Sequence, residues 1–265
     1  MAQVTDQIGN KLIIKAPKRV VSLVPSITYL LHSLQLDNEV VGLTRFCKLP
    51  AHYKKTKTIV GGTKEVNIER IKQLNPDFFL LSKEENTKEL ANELSKIAPV
   101  YVSYVSDCQS NTKLINDLGT IFDVQDKSDL LLEQIAQQKA LFKTNWKKDK
   151  LKTVYFIWQN PWMTVGGDTF INEMMKLSGF DNIFKQKKRY PQVTLSSLDK
   201  DNIDVILLSS EPFPFKEKHK KDLQKQFPNT KIILVQGEPF TWYGSFPKNA
   251  FKYFATLQKQ LKNAH

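Results

Sequence analysis

NIERIKQLNPDFFLLS, residues 67–82, is the stretch of this 265-residue chain that decides its fold. Its first half has apolar residues every three or four positions, which predicts one buried face of a helix. Asn75-Pro76 ends that helix, because proline cannot continue it. The apolar run Phe78–Leu81 then predicts a buried strand.

The stretch KRVVSLVPSITYLL at Lys18–Leu31 shows the same two elements in the opposite order. Val20–Val24 predicts a buried strand, and Pro25 and Ser26 end it and begin a helix, with Ser26 as the candidate cap. Strands that alternate with helices predict a parallel sheet covered by helices, so the fold class is α/β. Strands are predicted near Arg19–Val24, Val40–Leu43, Phe78–Ser82, Val100–Val105, Thr153–Trp158, Val205–Ser209 and Ile232–Val235.

One long helix is predicted to connect two halves of the chain. From Asn111 to about Trp146 there is no proline and one glycine, Gly119, and Ser128 is a plausible cap for the second part. The predicted organisation is an N-terminal α/β lobe at 1–112, the connecting helix at 113–148 and a C-terminal α/β lobe at 149–265. In the C-terminal lobe, Asp168 or Thr169 caps a further helix.

The chain is basic, with 39 Lys and Arg against 27 Asp and Glu and a net charge of +12. Such an excess attracts nucleic acid, anionic lipid or an anionic ligand, or it simply covers solvated helix faces. Neither zinc-finger spacing nor an aromatic RNA-binding motif accompanies the charge, so we expect no nucleic-acid partner. Cys47 and Cys108 are the only cysteines and are expected to be partly buried thiols.

The N-terminus, MAQVTDQIGNKLII, lacks the basic start and apolar core of a signal peptide. Two explanations stay open, a leader that is not part of this sequence and a cytoplasmic protein. No apolar run reaches the roughly 18 residues that a membrane-spanning helix needs.

Aromatic residues dominate the loops that follow the predicted strands of the second half. Ligands collect at the carboxyl ends of strands in open α/β sheets, and aromatic faces suit large planar ligands. The alternative is that half of these rings pack in cores. The residues are Trp158, Trp162, Tyr190, Phe213, Phe215, Phe240, Trp242 and Tyr243.

The ordered motifs RVVSLVPS, VVGLT, NIERIKQLNPDFFLL, GFDNIF and YPQV resemble those of class III substrate-binding proteins, also called helical-backbone metal receptors. These proteins serve the import of cobalamin, iron-siderophores and haem by ABC transporters. The resemblance runs from about Lys18 to the C-terminus. It implies two Rossmann-like lobes with central parallel sheets, joined by one long helix, with the ligand in the interlobe cleft.

The resemblance also implies ligand contacts. Phe46 matches a ring that flanks the corrinoid in the B12-binding relatives, and Tyr190 matches a Trp. The sequence departs from those relatives at Thr63 and Ser82, where they have Trp, and at Phe240 and Gly244, where they have Asp and Arg. These departures argue against cobalamin itself and leave a binding role in place.

Polar loops offer anchors for carboxylates or phosphates of a ligand, although tight turns would explain the same loops. Four cations, Arg45, Lys64, Lys83 and Arg189, lie in or beside them. The candidate ligand-binding residues are therefore Phe46, Trp162, Tyr190, Phe240, Trp242, Tyr243, Arg45, Lys64, Lys83 and Arg189.

Docking to a transporter is implied in part. The family pairs one Glu on each lobe with Arg on the permease, and Glu69 matches the first. The second Glu of the family corresponds to a position near Ser196–Ser197, where this chain has no Glu. Asp199 or Asp201 could take its place. Glu69 is equally explained as a surface carboxylate at a helix start.

Metal and enzyme chemistry are weakly indicated. Cys47 and His52 alone complete neither a zinc nor a haem site, although His52, Tyr53 or Tyr243 could ligate iron as in some relatives. Phosphate-loop, zinc-protease and nucleophile-elbow motifs are absent from the sequence, so we expect no enzyme.

The predicted function is a substrate-binding receptor of an ABC import system that takes up a corrinoid, haem or ferric siderophore. It is expected to be a monomer without an intrinsic cofactor and, by the resemblance, periplasmic. Its partners would be an ABC transporter permease and the metal-chelate ligand. The alternative is a cytoplasmic carrier or sensor of the same fold without a transporter partner.

Overall fold

A computed structural model describes residues 1–145 and 150–262. These residues form two compact units. The first unit comprises Met1–Gln137 and a later segment, Trp242–Lys248. The second comprises the described residues of Gln138–Thr241 and of the chain from Asn249 onward.

The strands are β1 (Ala2–Thr5), β2 (Lys11–Ile14), β3 (Val20–Ser22), β4 (Val40–Thr44), β5 (Thr58–Gly61), β6 (Phe78–Ser82), β7 (Val100–Ser103), β8 (Leu151–Phe156), β9 (Phe180–Asn182), β10 (Val205–Ser209) and β11 (Lys231–Val235). The helices are α1 (Pro25–Ser33), α2 (Tyr53–Thr56), α3 (Ile68–Gln73), α4 (Lys88–Leu94), α5 (Cys108–Phe122), α6 (Gln125–Asn145), α7 (Phe170–Leu177), α8 (Glu217–Gln226), α9 (Glu238–Thr241) and α10 (Pro247–Lys262). Short 3₁₀ turns occupy Leu195–Ser197 and Lys200–Asn202.

The first unit is built on a five-stranded parallel sheet in the order β5-β4-β3-β6-β7. Its central strands β3 and β6 are buried along their whole length, as expected for strands covered on both faces. Leu81, Val100 and Val102 pack with residues of α3 and α4 on one of those faces. An antiparallel hairpin of β1 and β2 precedes the sheet.

The second unit has a four-stranded parallel sheet in the order β11-β10-β8-β9. Its core includes Phe156 on β8, Leu208 on β10 and Leu223 on α8. Helix α6 contributes residues to both units, since the division falls between Gln137 and Gln138. The predicted α/β fold class with a parallel sheet in each half is confirmed.

The helix starts show which polar residues act as caps. The side chains of Asn67, Thr87 and Thr169 accept backbone N–H groups of α3, α4 and α7, so Thr169 rather than Asp168 is the cap of α7. Ser26 is not a cap, because α1 already begins at Pro25 and its N-cap position, Val24, has no side-chain hydrogen bond. Proline suits that first position, where a backbone N–H would lack a helical partner.

The stretch predicted as one connecting helix contains two helices. Helix α5 ends at Phe122, and Asp123 takes a left-handed conformation with φ 56°, after which α6 begins. Ser128 lies inside α6 rather than at its start. Residues 146–148 of the predicted helix lie outside the described residues, and the predicted boundaries of the lobes stay a prediction.

Candidate ligand-binding site

The five strands of the parallel sheet in the first unit all end in small or polar residues at one edge of that sheet. These terminal residues are Ser22, Thr44, Gly61, Ser82 and Ser103. The carboxyl ends of parallel strands share an edge, and loops leave the sheet there toward ligands. This edge is therefore the natural place for a binding site in the first unit.

Buried hydrogen bonds fix the first two of these loops. The Thr28 hydroxyl donates to Ser22 Oγ at 2.9 Å and accepts from Cys47 Sγ at 3.3 Å. Cys47 is fully buried, and that burial raises the pKa of its thiol. Cys47 is thus a packing residue rather than a reactive thiol or an accessible metal ligand.

Arg45 and Phe46 lie exposed in the loop after β4. The Arg45 guanidinium carbon is 5.1 Å from the centroid of the Phe46 ring, which is 47% exposed. Gly62, in the loop after β5, lies close to both, since a Cβ added there would be 3.3 Å from Arg45 Nη2. The pair thus offers a ring face and a cation at the same strand end.

A second pair of this kind follows β6 and β7. Lys83 Nζ is 4.5 Å from the centroid of the Tyr104 ring. The Asn86 amide donates to Thr63 O at 2.6 Å, which ties the loop of Lys83 to the loop that carries Lys64. The sequence singled out Lys83 and Lys64 but missed Tyr104, because the predicted strand ran to Val105 and included it, whereas the observed strand β7 ends at Ser103.

The segment Trp242–Lys248 belongs to the first unit and supplies packing there. Trp242 is 6% exposed and contacts the rings of Tyr29 and Phe246. The Tyr243 hydroxyl lies 3.3 Å from Ser103 Oγ, and burial raises the pKa of this hydroxyl, so it stays neutral. We therefore do not keep these two aromatic residues among the ligand contacts.

Phe240 is likewise removed from the candidate set. Its ring is 0% exposed and contacts Tyr155, Phe180 and Phe254 in the core of the second unit. A ring without accessible surface has no face to offer a ligand. Phe240 is therefore a core residue of the second unit.

In the second unit, Arg189 and Tyr190 form a third cation–ring pair, with the guanidinium carbon 5.3 Å from the ring centroid. Arg189 has a left-handed backbone with φ 58°, and its N–H donates to Asp168 Oδ1 at 2.6 Å. Arg189 Nη1 is 4.0 Å from the other oxygen of that carboxylate. Asp168 thus positions the pair.

Trp162 and Trp158 follow β8 and differ in exposure. Trp162 packs on the core, with its ring stacked on Phe215 at 5.7 Å and 4.7 Å from the ring of Phe156. Trp158 is 39% exposed and meets Phe213 edge-on at 5.5 Å. Trp158 is the more exposed of the two, whereas Trp162, which the candidate set named, is half-buried.

His219 lies against Phe213 and Phe215, and its Nδ1 accepts the Lys216 N–H at 2.8 Å. Burial and the neighbouring Lys218 lower the pKa of this imidazole. His219 is therefore a neutral capping residue of α8.

The histidine and tyrosine proposed as iron ligands lie elsewhere in the first unit. Tyr53 is fully buried, and His52 Nε2 is 3.7 Å from Asp37 Oδ1, which also bonds His32 Nδ1 at 2.7 Å. In the part of the chain that the structure describes, His, Cys, Asp and Glu side chains form no group of three or more that could hold a metal ion. Cys47 and Cys108 are both thiols.

Glu69 lies in the first turn of α3, with its side chain 77% exposed and 2.8 Å from Lys72 Nζ. In the second unit, Ser196 and Ser197 lie in a 3₁₀ turn, and Asp199 and Asp201 are exposed close by. All of these side chains are accessible. Their use in docking stays a prediction.

The chain matches the periplasmic binding protein family over residues 20–232. It belongs to this family. An ABC transporter substrate-binding lipoprotein of Bacillus subtilis, YvrC, is 31% identical over 206 residues, which span 73% of this chain and 64% of that lipoprotein. The vitamin B12-binding protein of Yersinia pestis is 24% identical over 198 residues, 74% of this chain and 70% of the relative.

Solved structures agree with this membership at the level of the fold. A periplasmic solute-binding protein of Staphylococcus epidermidis has a TM-score of 0.78 at 21% identity, covering 91% of this chain and 98% of its own. Members of the family are binding proteins rather than enzymes. Within the described residues, no helix has both the length and the apolar composition to cross a membrane.

Proposed function

We propose that this chain is the substrate-binding receptor of an ABC import system and captures a metal-containing macrocycle or chelate. The support for the class of function is the family match over residues 20–232. Relatives are named as binding vitamin B12 or haem, which makes a corrinoid, haem or ferric siderophore the ligand class to test first.

The observation that carries the proposal is the repeated pairing of a cation with an aromatic ring in the loops that follow the strands. Arg45 with Phe46 and Lys83 with Tyr104 supply two pairs in the first unit, and the second unit supplies Arg189 with its neighbouring ring. Aromatic faces bind planar ligands with little loss of entropy, and the cations pair with carboxylate or phosphate groups. Such pairs suit a bulky anionic chelate.

The distribution of charge favours the same ligand class. The sequence of the second unit carries 21 Lys and Arg against 11 Asp and Glu, so it accounts for +10 of the net charge of +12. A positive field raises the local concentration and the association rate of an anion. We therefore favour haem, with its carboxylates, or an anionic ferric siderophore over cobalamin, whose tryptophan contacts are replaced at Thr63 and Ser82.

The residues that we assign to ligand contact are those with exposed or half-exposed side chains in the loops that follow the strands. They are Arg45, Phe46, Lys64, Lys83, Tyr104, Trp158, Arg189 and Tyr190. The permease partner is proposed to bind Glu69 on α3. Action outside the cytoplasmic membrane is proposed because the relatives are periplasmic proteins or lipoproteins.

The test is a titration of intrinsic tryptophan fluorescence with haemin, cyanocobalamin and a ferric hydroxamate. One of the three should quench saturably at stoichiometric concentration. The variant Trp158→Phe should lose most of that quenching, whereas Trp242→Phe should keep it, because Trp242 is packed in the first unit. Absence of saturation with all three ligands would exclude the proposed ligand class.

A further inference from the structure

A separate cavity of about 570 Å³ lies in the first unit beside the edge strand β7. We call it the hairpin cavity. Its walls come from the β1–β2 hairpin through Ile8 and Leu12, from α4 through Ala91, and from β7 through Val100. Its volume falls within the range of about 300–1,000 Å³ that is typical of small-molecule sites.

The floor of the hairpin cavity is apolar and belongs to the core. Leu81, Val100 and Val102 are buried and pack together on one face of the sheet. Leu12 and Ala91 add half-buried apolar surface above them. Burying an alkyl chain here would contribute a favourable free energy of roughly 25 cal/mol for each Å² of apolar surface removed from water.

Hydrogen bonds hold the hairpin wall against the edge strand. The Gln7 N–H donates to Val102 O at 3.2 Å, and Gln7 Oε1 accepts the Tyr104 N–H at 3.0 Å. Asp6 Oδ2 accepts the Val102 N–H at 3.2 Å. These bonds use the outward-facing backbone groups of Val102 and Tyr104, so the hairpin is a fixed wall.

The rest of the cavity is polar, and the charged residues among those that line it are lysines. Lys83 and Lys88 are among its lining residues, which include no Asp or Glu. Asn10 and Asn86 also line it, but their amides already bond Asp6 and the loop after β5. Among the described residues neither ammonium is recorded in an ion pair, so both can receive an anionic group.

We propose that the hairpin cavity binds an amphiphilic monocarboxylate, a medium-chain fatty acid. The carboxylate would bond the ammonium groups of Lys83 and Lys88, and the alkyl chain would lie along the accessible surface of Ile8, Leu12 and Ala91, above Val100 and Val102. A charged hydrogen bond to a carboxylate and burial of the chain each contribute to affinity. This site is distinct from the contacts assigned to the imported ligand, except that Lys83 borders both.

The unaltered chain gives the first test. Octanoate, titrated into protein with labelled methyl groups, should produce saturable shifts confined to the methyls of Ile8, Leu12, Val100 and Val102. Octanol, which has the same chain and a neutral head, should bind about tenfold more weakly, the value of one charge-assisted hydrogen bond. Shifts that do not saturate, shifts spread over both units or equal affinity for octanol would overturn the proposal.

Variants then locate the two ends of the ligand. Lys88→Gln should weaken octanoate about tenfold and leave octanol unchanged, and it avoids Lys83, which is assigned to the imported ligand. Ala91→Phe should abolish binding of both by filling the cavity, with Ala91→Leu as the smaller replacement if the first variant does not fold. The matched control is Ala136→Phe, at an exposed position on α6, which should change nothing. Octanoate affinity that survives both fillings of Ala91 would contradict the site.

Discussion

Asn111 clamps the segment Trp242–Lys248 to the first unit, and its removal should be costly. The side chain lies on α5 and is 5% exposed. Its Nδ2 donates to Gly244 O at 3.0 Å, and its Oδ1 accepts the Gly244 N–H at 2.5 Å. The Asn111 side-chain amide thus provides hydrogen-bond partners for both the N–H and the C=O of Gly244.

In Asn111→Ala both of those backbone groups lose their partner. A buried group left without a hydrogen bond costs about 1–3 kcal/mol. Partial relaxation of the segment reduces the sum, so we expect a loss of about 2–4 kcal/mol in the free energy of unfolding. That is a large share of a total stability of about 5–15 kcal/mol.

Urea denaturation followed by tryptophan fluorescence measures this loss, and Trp242, two residues from Gly244, reports locally on the segment. The control is Thr112→Ala at the next, exposed position of α5, where we expect less than about 0.5 kcal/mol. If Asn111→Ala lost no more than that control, the two hydrogen bonds would not hold the segment and the reasoning would fail.

Three further predictions concern packing, pH and capping. Gly119→Ala should destabilise the first unit despite a gain in helix propensity of about 1 kcal/mol, because the added Cβ would lie 2.4 Å from Ser128 Oγ. A lower melting temperature would show this loss, and the second substitution Ser128→Gly should restore part of it. Burial raises the pKa of Asp37, but the hydrogen bond and charge of His32 outweigh it, and the net shift is downward. The stability that this shift provides is present above the usual aspartate pKa of about 3.9 and is lost as the pH falls through the lower pKa of the folded state. The free energies of unfolding of the wild type and of Asp37→Asn, measured by urea titration, should therefore converge at acidic pH. A difference that stays constant with pH would contradict this. Thr169→Ala should cost about 1 kcal/mol in chemical denaturation by removing the cap of α7, whereas Thr169→Ser should cost little, and equal losses would show that the hydroxyl is not the cause.

The main strands could be predicted because strands buried on both faces have continuous apolar runs in the sequence. Phe78–Ser82 and Val205–Ser209 are examples, with every residue buried. Strands β5 and β9 were missed because each has only four or three residues, at the edge of its sheet, and Thr58–Gly61 is mostly half-buried. A short edge strand is defined by its neighbour rather than by its own pattern.

The break between α5 and α6 could not be predicted, because its cause is tertiary. Asp123 adopts the left-handed conformation that glycine usually takes, and no proline or glycine stands there. Gly119, four residues earlier, is the position where α5 approaches Ser128 of α6 too closely for a side chain. The glycine was visible in the sequence, but the contact that requires it was not.

The candidate ligand contacts stay a prediction, but the structure shows why the sequence could not separate exposed rings from buried ones. An aromatic ring after a strand contributes much the same apolar surface whether it closes a core or faces a ligand. Phe240 and Trp158 both follow strands, yet the first is fully buried and the second is 39% exposed. A neighbouring cation adds to the distinction only where the ring itself has accessible surface, because Lys and Arg can lay their stems over a buried ring and keep the charge in water. A cation over a ring does not by itself mark an open site, because Lys57 and Lys200 lie over the buried rings of Tyr53 and Phe227. The pairs at Phe46, Tyr104 and Tyr190 differ in that their rings are exposed or half-exposed, and they are the basis on which we propose an anionic, planar ligand.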